Sequence, residues 1–350
     1  MSYEHEMVGR VLTVERVREL NAKDFFYQIL KENPEITKIY PGIEDPILEG
    51  SIDHHIHCYP DFVYRSQDMI DCAIDAAKAK MQAIAFKDHY NLSGGEAYLV
   101  QQYIDGMVKR GELEQGVTIY GGIGLNFGVR PDVVKVALKY PNMKMLWFPT
   151  FNSAGFFRTC GMTGGVHLVD AKQHVLPEVV EVMHMAKEAK VGIGLGHTDF
   201  FELLPLSEKA REIGCRCVLD HPLLELNKLT FDEMKQLAAN GVYVGTYCQP
   251  MIPSIYQPVA DPFETVRLIK HVGAECCIVG GDFGQVLHIN SIDGLRVFVR
   301  ACLAFGIDEA SLNIALKDNP RKLLYLDDAP DAAAEAHRSA DRRQQHVSHS

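Results

Sequence analysis

The chain of 350 residues is 47% hydrophobic and 23% charged, the balance of a soluble globular protein with a sizeable core. A formal net charge of −11 and a pI near 5.7 exclude the basic footprint that nucleic acid or an anionic membrane requires. Met1–Arg10 is polar, and the longest apolar runs fall far short of the ~20 residues that span a bilayer, so a cytoplasmic location is expected.

Residues 1–49 read as a helical extension, with one or two short helices between Thr13 and Asn33. Eight short apolar runs follow, each closed by Gly, Pro or polar residues: Gly50–Cys58, Gln82–Asn91, Val117–Asn126, Met143–Asn152, Val191–Asp199, Cys215–Pro222, Gly241–Pro250 and Cys276–Gln285. Amphipathic stretches lie between them, including Asp68–Lys80, Glu96–Arg110, Pro131–Tyr140 and Pro177–Lys190. Thr230-Phe-Asp-Glu233 and Asp261-Pro-Phe-Glu264 have the spacing of capping boxes, and Gly241 and Gly273 stand at helix stops. Strand–helix alternation with strands apolar on both faces implies a parallel sheet. Eight such units in one stretch fit a (β/α)8 TIM barrel over residues 50–326 better than an open sheet. Phe156–Val166, rich in Gly, reads as a long loop and a lid. Residues 327–350 lack apolar periodicity and read as a disordered tail, so His337, His346 and His349 are set aside. The nine cysteines contain no CxxC pair and are expected as reduced thiols.

The chemistry gathers at the ends of the runs. The first ends Asp53-His-His55-Ile-His57, and strand alternation puts His55 and His57 on one face, with His54 and Ile56 pointing away. Two imidazoles on one wall suit a divalent ion such as zinc, although a lone pair of this kind is equally a piece of polar surface. The second run ends Lys87-Asp-His89, the fifth Gly-His197, the sixth Asp-His221-Pro and the eighth Gly-Gly-Asp282. Any one of these is readily a hydrogen-bonded core residue. Five on the strand-end face, where this fold keeps its active sites, are not readily explained that way.

The order His55-x-His57, His197, His221, Asp282 resembles the amidohydrolase superfamily, and Asn319-Pro-Arg-Lys-Leu-Leu resembles its closing helix. Lys87-Asp-His89-Tyr, Gly121-Gly-Ile-Gly-Leu-Asn126, Phe148-Pro-Thr150 and Gly196-His197 are similar to an uncharacterised amidohydrolase-related family. The resemblance implies one or two divalent cations, Zn2+ first and Mn2+ or Fe2+ as alternatives, held among His55, His57, Lys87, His89, His197, His221 and Asp282. It implies hydrolysis of a small amide, lactam or ester by a metal-activated water. Asp282 would carry the proton, and His221 and His89 would orient the water or stabilise the oxyanion. Arg158, Tyr59, Asn126 and Arg130 are candidate substrate contacts, Arg158 foremost because a guanidinium reads carboxylates bidentately. Strand four lacks the superfamily's usual bridging lysine, which leaves Lys87 either as a carbamylated bridge or as an ammonium anchor. Two alternatives stand: a mononuclear non-oxidative decarboxylase, and a phosphoesterase of the polymerase-and-histidinol-phosphatase type, whose strand-three Glu is here Gly124. The expected partner is a small-molecule substrate, and the expected assembly a homo-oligomer.

Overall fold

The computed structural model describes residues 46–224, 227, 229–251 and 261–327, with the isolated positions 18, 19, 28 and 31. The tail and nearly all of the expected N-terminal helical stretch lie outside these residues. Each apolar run contains one strand: β1 (Ile52–Ile56), β2 (Ala83–Phe86), β3 (Thr118–Gly124), β4 (Met143–Trp147), β5 (Gly192–Gly194), β6 (Cys217–Leu219), β7 (Tyr243–Tyr247) and β8 (Cys277–Gly280). They pair in parallel in sequence order. The seam between β1 and β8 is closed just beyond the strands, where the Asp282 amide donates to the His55 carbonyl at 2.9 Å and the His57 amide to the Phe283 carbonyl at 3.0 Å. The fold is a (β/α)8 barrel.

The connecting helices begin where capping chemistry places them. Helix α1 (Met69–Lys78) starts with the Asp68 side chain accepting from the Asp71 amide. Helices α2 (Gly94–Lys109), α3 (Pro131–Ala137), α4 (Ala154–Thr159), α5 (Pro177–Ala189) and α6 (Phe200–Ile213) follow. Helix α7 (Phe231–Ala239) carries the full capping box of Thr230 and Glu233, a device whose cap is typically worth about 1 kcal/mol. In α8 (Pro262–Val272) Asp261 caps the Phe263 amide instead, and Glu264 pairs with Arg267. Helices α9 (Ser291–Ala304), α10 (Glu309–Asn313) and α11 (Asn319–Leu323) complete the ring. The expected lid loop is helical at its start, because Ser153 caps the Phe156 amide and opens α4.

Two cores result. The larger fills the space between strands and helices. The smaller lies inside the barrel, where Ile52, Ala83, Met145, Val218 and Ile278 pack under Trp147, and Leu323 and Leu324 plug the lower end. Trp147 is fully buried and forms the floor beneath the strand ends. Its bulk explains Gly194: a β-carbon there would stand 2.3 Å from the indole. Among the described residues no helix is long and apolar enough to cross a membrane. All nine cysteines are free thiols.

Candidate metal centre

Five strand ends deliver polar side chains into one buried space above Trp147: His55 and His57 from β1, Lys87 and His89 after β2, His197 after β5, His221 after β6 and Asp282 after β8. His221 and Asp282 have φ of 50° and 51°, in the left-handed region. Such backbone costs a non-glycine residue on the order of 1–3 kcal/mol, and here it turns both side chains inward.

The Asp282 carboxylate is the hub. Its Oδ1 lies 3.3 Å from both His55 Nε2 and His57 Nε2, and its Oδ2 lies 3.3 Å from His221 Nδ1. Two sets of side chains offer ligand atoms within 4.8 Å of one another: His55, His57 and Asp282, and His55, Asp220 and His221. His55 belongs to both. His197 stands beside His221, with ring centroids 4.8 Å apart, and His89 stacks on His57 at the same separation.

Hydrogen-bond partners fix where the protons of this space sit. Tyr247 donates its one proton to Asp220 Oδ1 at 2.8 Å, and the same hydroxyl lies 3.1 Å from His55 Nδ1. Having spent its proton, that oxygen accepts, so His55 carries hydrogen on Nδ1 and turns a bare Nε2 lone pair toward Asp282. With Asp282 ionised, two acceptors face each other at 3.3 Å. His55 Nε2, His221 Nδ1, both ring nitrogens of His197 and Lys87 Nζ are buried with no hydrogen-bond partner. Buried polar atoms are rarely left so, and neutral imidazoles around a carboxylate are the donor set that a divalent ion takes. The residues fit a metal.

Asp220, also buried, is a different case. Its Oδ1 takes the Tyr247 hydroxyl and its Oδ2 the Gly196 amide at 2.9 Å, so the chain itself occupies both oxygens. It holds Tyr247 and through it His55, in the way that outer carboxylates fix the tautomer of a ligating histidine. His57 is less prepared. Arg65 donates to its Nδ1 at 3.3 Å while pairing with Asp61 at 2.6 Å, and a guanidinium cannot accept. The proton of neutral His57 therefore sits on Nε2, and a metal there requires it to move.

Electrostatics follow from burial. It drives His55, His57, His89 and His221 well below the ordinary imidazole value and His197 to about 3, with the Lys87 charge lowering each further. It lifts the Asp282 carboxyl to about 7 against the pull of Lys87 and Arg65. Asp53 also rises to about 7, although the Gly281 and His55 amides bond to it. Lys87 falls below the usual ammonium value, with Asp220 and Asp282 opposing the fall.

Of the candidate substrate contacts, Arg158, Asn126 and Arg130 have partners within the chain. Arg158 sends Nε and Nη2 to Asp199, both at 2.8 Å, and Nη2 to Glu202 at 2.9 Å. Its fork already holds carboxylates of the chain. Asn126 donates to the His89 carbonyl and to Thr150, whose hydroxyl meets His89 Nδ1 at 3.1 Å, so it braces His89. Arg130 pairs with Asp132 on the surface, and Tyr59 is 48% exposed at the rim beside Tyr64. One expectation about β1 is corrected. His54 does not simply point away, since its Nε2 reaches the Tyr247 hydroxyl at 3.2 Å. The pairing of β1 with β2 shifts register between Asp53 and Ile56, the stretch that holds His54. Asp220, Tyr247 and Asp53 were not singled out from the sequence.

A family model described as a family of unknown function, DUF6282, matches residues 50–245, more than half of the chain. The chain belongs to DUF6282. The comparison with curated proteins yields no match. Among solved structures, the DUF6282 barrel is similar to an amidohydrolase from Pseudomonas aeruginosa, at TM-score 0.52 and 13% identity, covering 79% of this chain and 96% of that one. A probable dipeptidase, PvdM, from the same organism gives TM-score 0.52 and 13% identity, with 78% and 94% covered. A probable 2-pyrone-4,6-dicarboxylic acid hydrolase from Acinetobacter baumannii gives 0.51 and 12%, with 79% and 99% covered. At these identities the likeness is one of fold.

Proposed function

We propose that this DUF6282 chain is a metal-dependent hydrolase that cleaves a small amide, lactam or ester. The observation that carries the reading is the convergence of His55, His57 and His221 on the Asp282 carboxyl, each 3.3 Å from it, with the bare His55 Nε2 facing an acceptor whenever Asp282 is ionised. A divalent ion resolves that arrangement. When bound, such an ion lowers the pKa of a coordinated water from 15.7 toward ~7 and polarises a carbonyl oxygen.

His55, His57, His221 and Asp282 would hold the ion, with His197 beside them. Asp282 takes the proton of the attacking water and returns it to the leaving group, a role its place among three imidazoles suits. His89, braced by Thr150 and stacked on His57, orients the substrate carbonyl or the oxyanion that develops on it. Trp147 closes the floor against water. Lys87 would either serve as a carbamylated ligand or anchor an anionic substrate.

A decarboxylase reading keeps one specific support. Of the two ligand sets, the one with Asp220 has that carboxylate already bonded to Tyr247 and Gly196, which leaves His55, His57 and Asp282 for a single ion. The phosphoesterase reading loses ground, because a β-carbon on Gly124 would stand 2.6 Å from the His89 carbonyl, leaving no room for a carboxylate there. Counting metal per chain separates the first two: two ions favour hydrolysis, and one keeps decarboxylation open. Screening the zinc-loaded protein against small amides, lactams and esters, beside a His55→Ala/His57→Ala variant, tests the whole. Full metal retention by that double variant would sink the assignment.

A further inference from the structure

We propose that the substrate carries an aromatic or similarly planar unsaturated ring, seated against Phe62 and Phe151 at the mouth of the barrel. The inference rests on the metal-dependent reading above and names the substrate class of that same site.

The chain places large apolar rings on the strand-end loops, where they cost exposure and serve no core. Phe62, in the loop after β1, is 61% exposed; Phe127, after β3, is 78% exposed; Phe151, after β4, is 42% exposed. A single exposed aromatic needs no explanation, but a contiguous set beside a buried polar centre marks a binding site. These rings are contiguous. Phe62 lies 5.0 Å from Tyr90, edge to face, and Tyr90 lies 5.0 Å from Phe127. Phe151 packs 6.1 Å from Phe156.

Both groups run directly into the candidate centre. Phe62 meets the His89 ring edge-on at 6.3 Å, and Phe151 meets it at 5.0 Å. Phe151 also stands perpendicular to His197 at 5.2 Å. His89 and His197 are almost fully buried, so the apolar wall passes without a break from solvent to the histidines. A ligand whose reacting group reaches the metal ligands must therefore lay its remaining part on this wall. Aromatic rings prefer offset or edge-to-face partners, and such pairs add attraction beyond the area they bury. Arg65, at the same mouth, is paired with Asp61, and Arg158 with Asp199 and Glu202, so the rim favours a neutral ring over a second charged group. A second copy of the chain seated on these rings would close the mouth that the site needs open.

The test uses two hydroxamates that chelate metal alike and differ only in ring saturation, benzohydroxamic acid and cyclohexanecarbohydroxamic acid. Calorimetric titration into the zinc-loaded protein reads binding whatever the reaction is. The aryl probe is expected to bind about tenfold tighter, the scale of two favourable ring pairs. Phe62→Leu and Phe151→Leu, which keep the wall apolar, should each erode that ratio through the aryl probe and leave the saturated one nearly unmoved. Equal affinities, or a preference for the saturated ring, overturn the inference and leave the metal site standing. Binding of neither probe overturns both readings. If the rings serve self-association instead, the two probes bind alike, and Phe127→Ser dissociates a dimer seen by sedimentation.

Discussion

The Tyr247 hydroxyl donates to Asp220 Oδ1 at 2.8 Å and faces His55 Nδ1 at 3.1 Å, and with Asp220 Oδ1 itself 3.3 Å from that nitrogen it keeps the His55 hydrogen on Nδ1 and leaves Nε2 bare. Removing that hydroxyl leaves a fully buried carboxylate oxygen short of its donor, at a cost of about 1–3 kcal/mol. Tyr247→Phe is expected to fold with a lower unfolding midpoint and to bind zinc about 10- to 100-fold more weakly, the usual result of losing an outer partner of a ligand. A competition titration with a chromophoric chelator measures this. Unaltered zinc affinity would show that the ring is held without Tyr247.

Asp282→Asn separates chemistry from folding. Asparagine tolerates the left-handed backbone at φ 51° nearly as well as aspartate, so the turn that closes the seam is retained. Burial already opposes the charged carboxyl, so a neutral amide costs the metal-free fold little. Turnover on a confirmed substrate should fall by at least ~10², the scale of losing a general base. Unchanged turnover would place the proton elsewhere.

Lys87 ends in a buried amine with no hydrogen-bond partner, 5.6 Å from the centre of the Trp147 ring. An ammonium so placed repels a cation, by about 1 to 4 kcal/mol for unit charges 4 Å apart. Carbamylation by carbon dioxide converts that repulsion into an anionic ligand, and the depressed lysine pKa favours it. Lys87→Ala is then expected to lose one metal ion, and a short carboxylate in the buffer to restore part of the activity. Electron density ending in a bare amine, with two metals bound, would leave Lys87 as a substrate anchor.

The metal-free protein should be acid-sensitive. His54, His55, His57, His89, His197, His221 and His288 all have folded pKa values pressed below 6.5 by burial, so below that pH the unfolded chain binds more protons than the folded one. Stability from these groups is present above about 6.5 and is lost as pH falls. Asp53 and Asp282, raised to about 7, act in the opposite sense, since the folded state holds their protons longer. The imidazoles outnumber them. Urea unfolding between pH 7 and 5 should therefore lose stability more steeply than the ~1.4 kcal/mol per pH unit of a single proton. A flat profile would mean that these histidines are hydrated.

Much of this was legible in the sequence because it rests on short periods. Each of the eight strands falls inside an apolar run, and His55 and His57 share a wall because alternate residues do. What was not legible depends on departures from that period. Asp220 and His221 are neighbours and should face opposite ways, yet the positive φ of His221 turns the chain there and both reach the interior. Tyr247 carries no charge and no motif, and its importance comes from Asp220, distant in sequence and adjacent only because β6 and β7 pair side by side. The pairing of Arg158 was hidden for the converse reason: its partners Asp199 and Glu202 lie at the start of α6, and nothing in the residues around Arg158 announces them.

The seam between β1 and β8 sets an order of events. His55 and Asp282 are linked by a backbone hydrogen bond at the point where the first strand meets the last, and they come from opposite ends of the barrel sequence. Joining segments so far apart is among the slowest and most entropically demanding steps in forming such a sheet. A partly synthesised chain that has made β1 but not β8 holds two neighbouring histidines without their carboxylate. The candidate ligand set is complete only after the barrel has closed, so any ion held by His55, His57 and Asp282 together follows folding rather than guiding it.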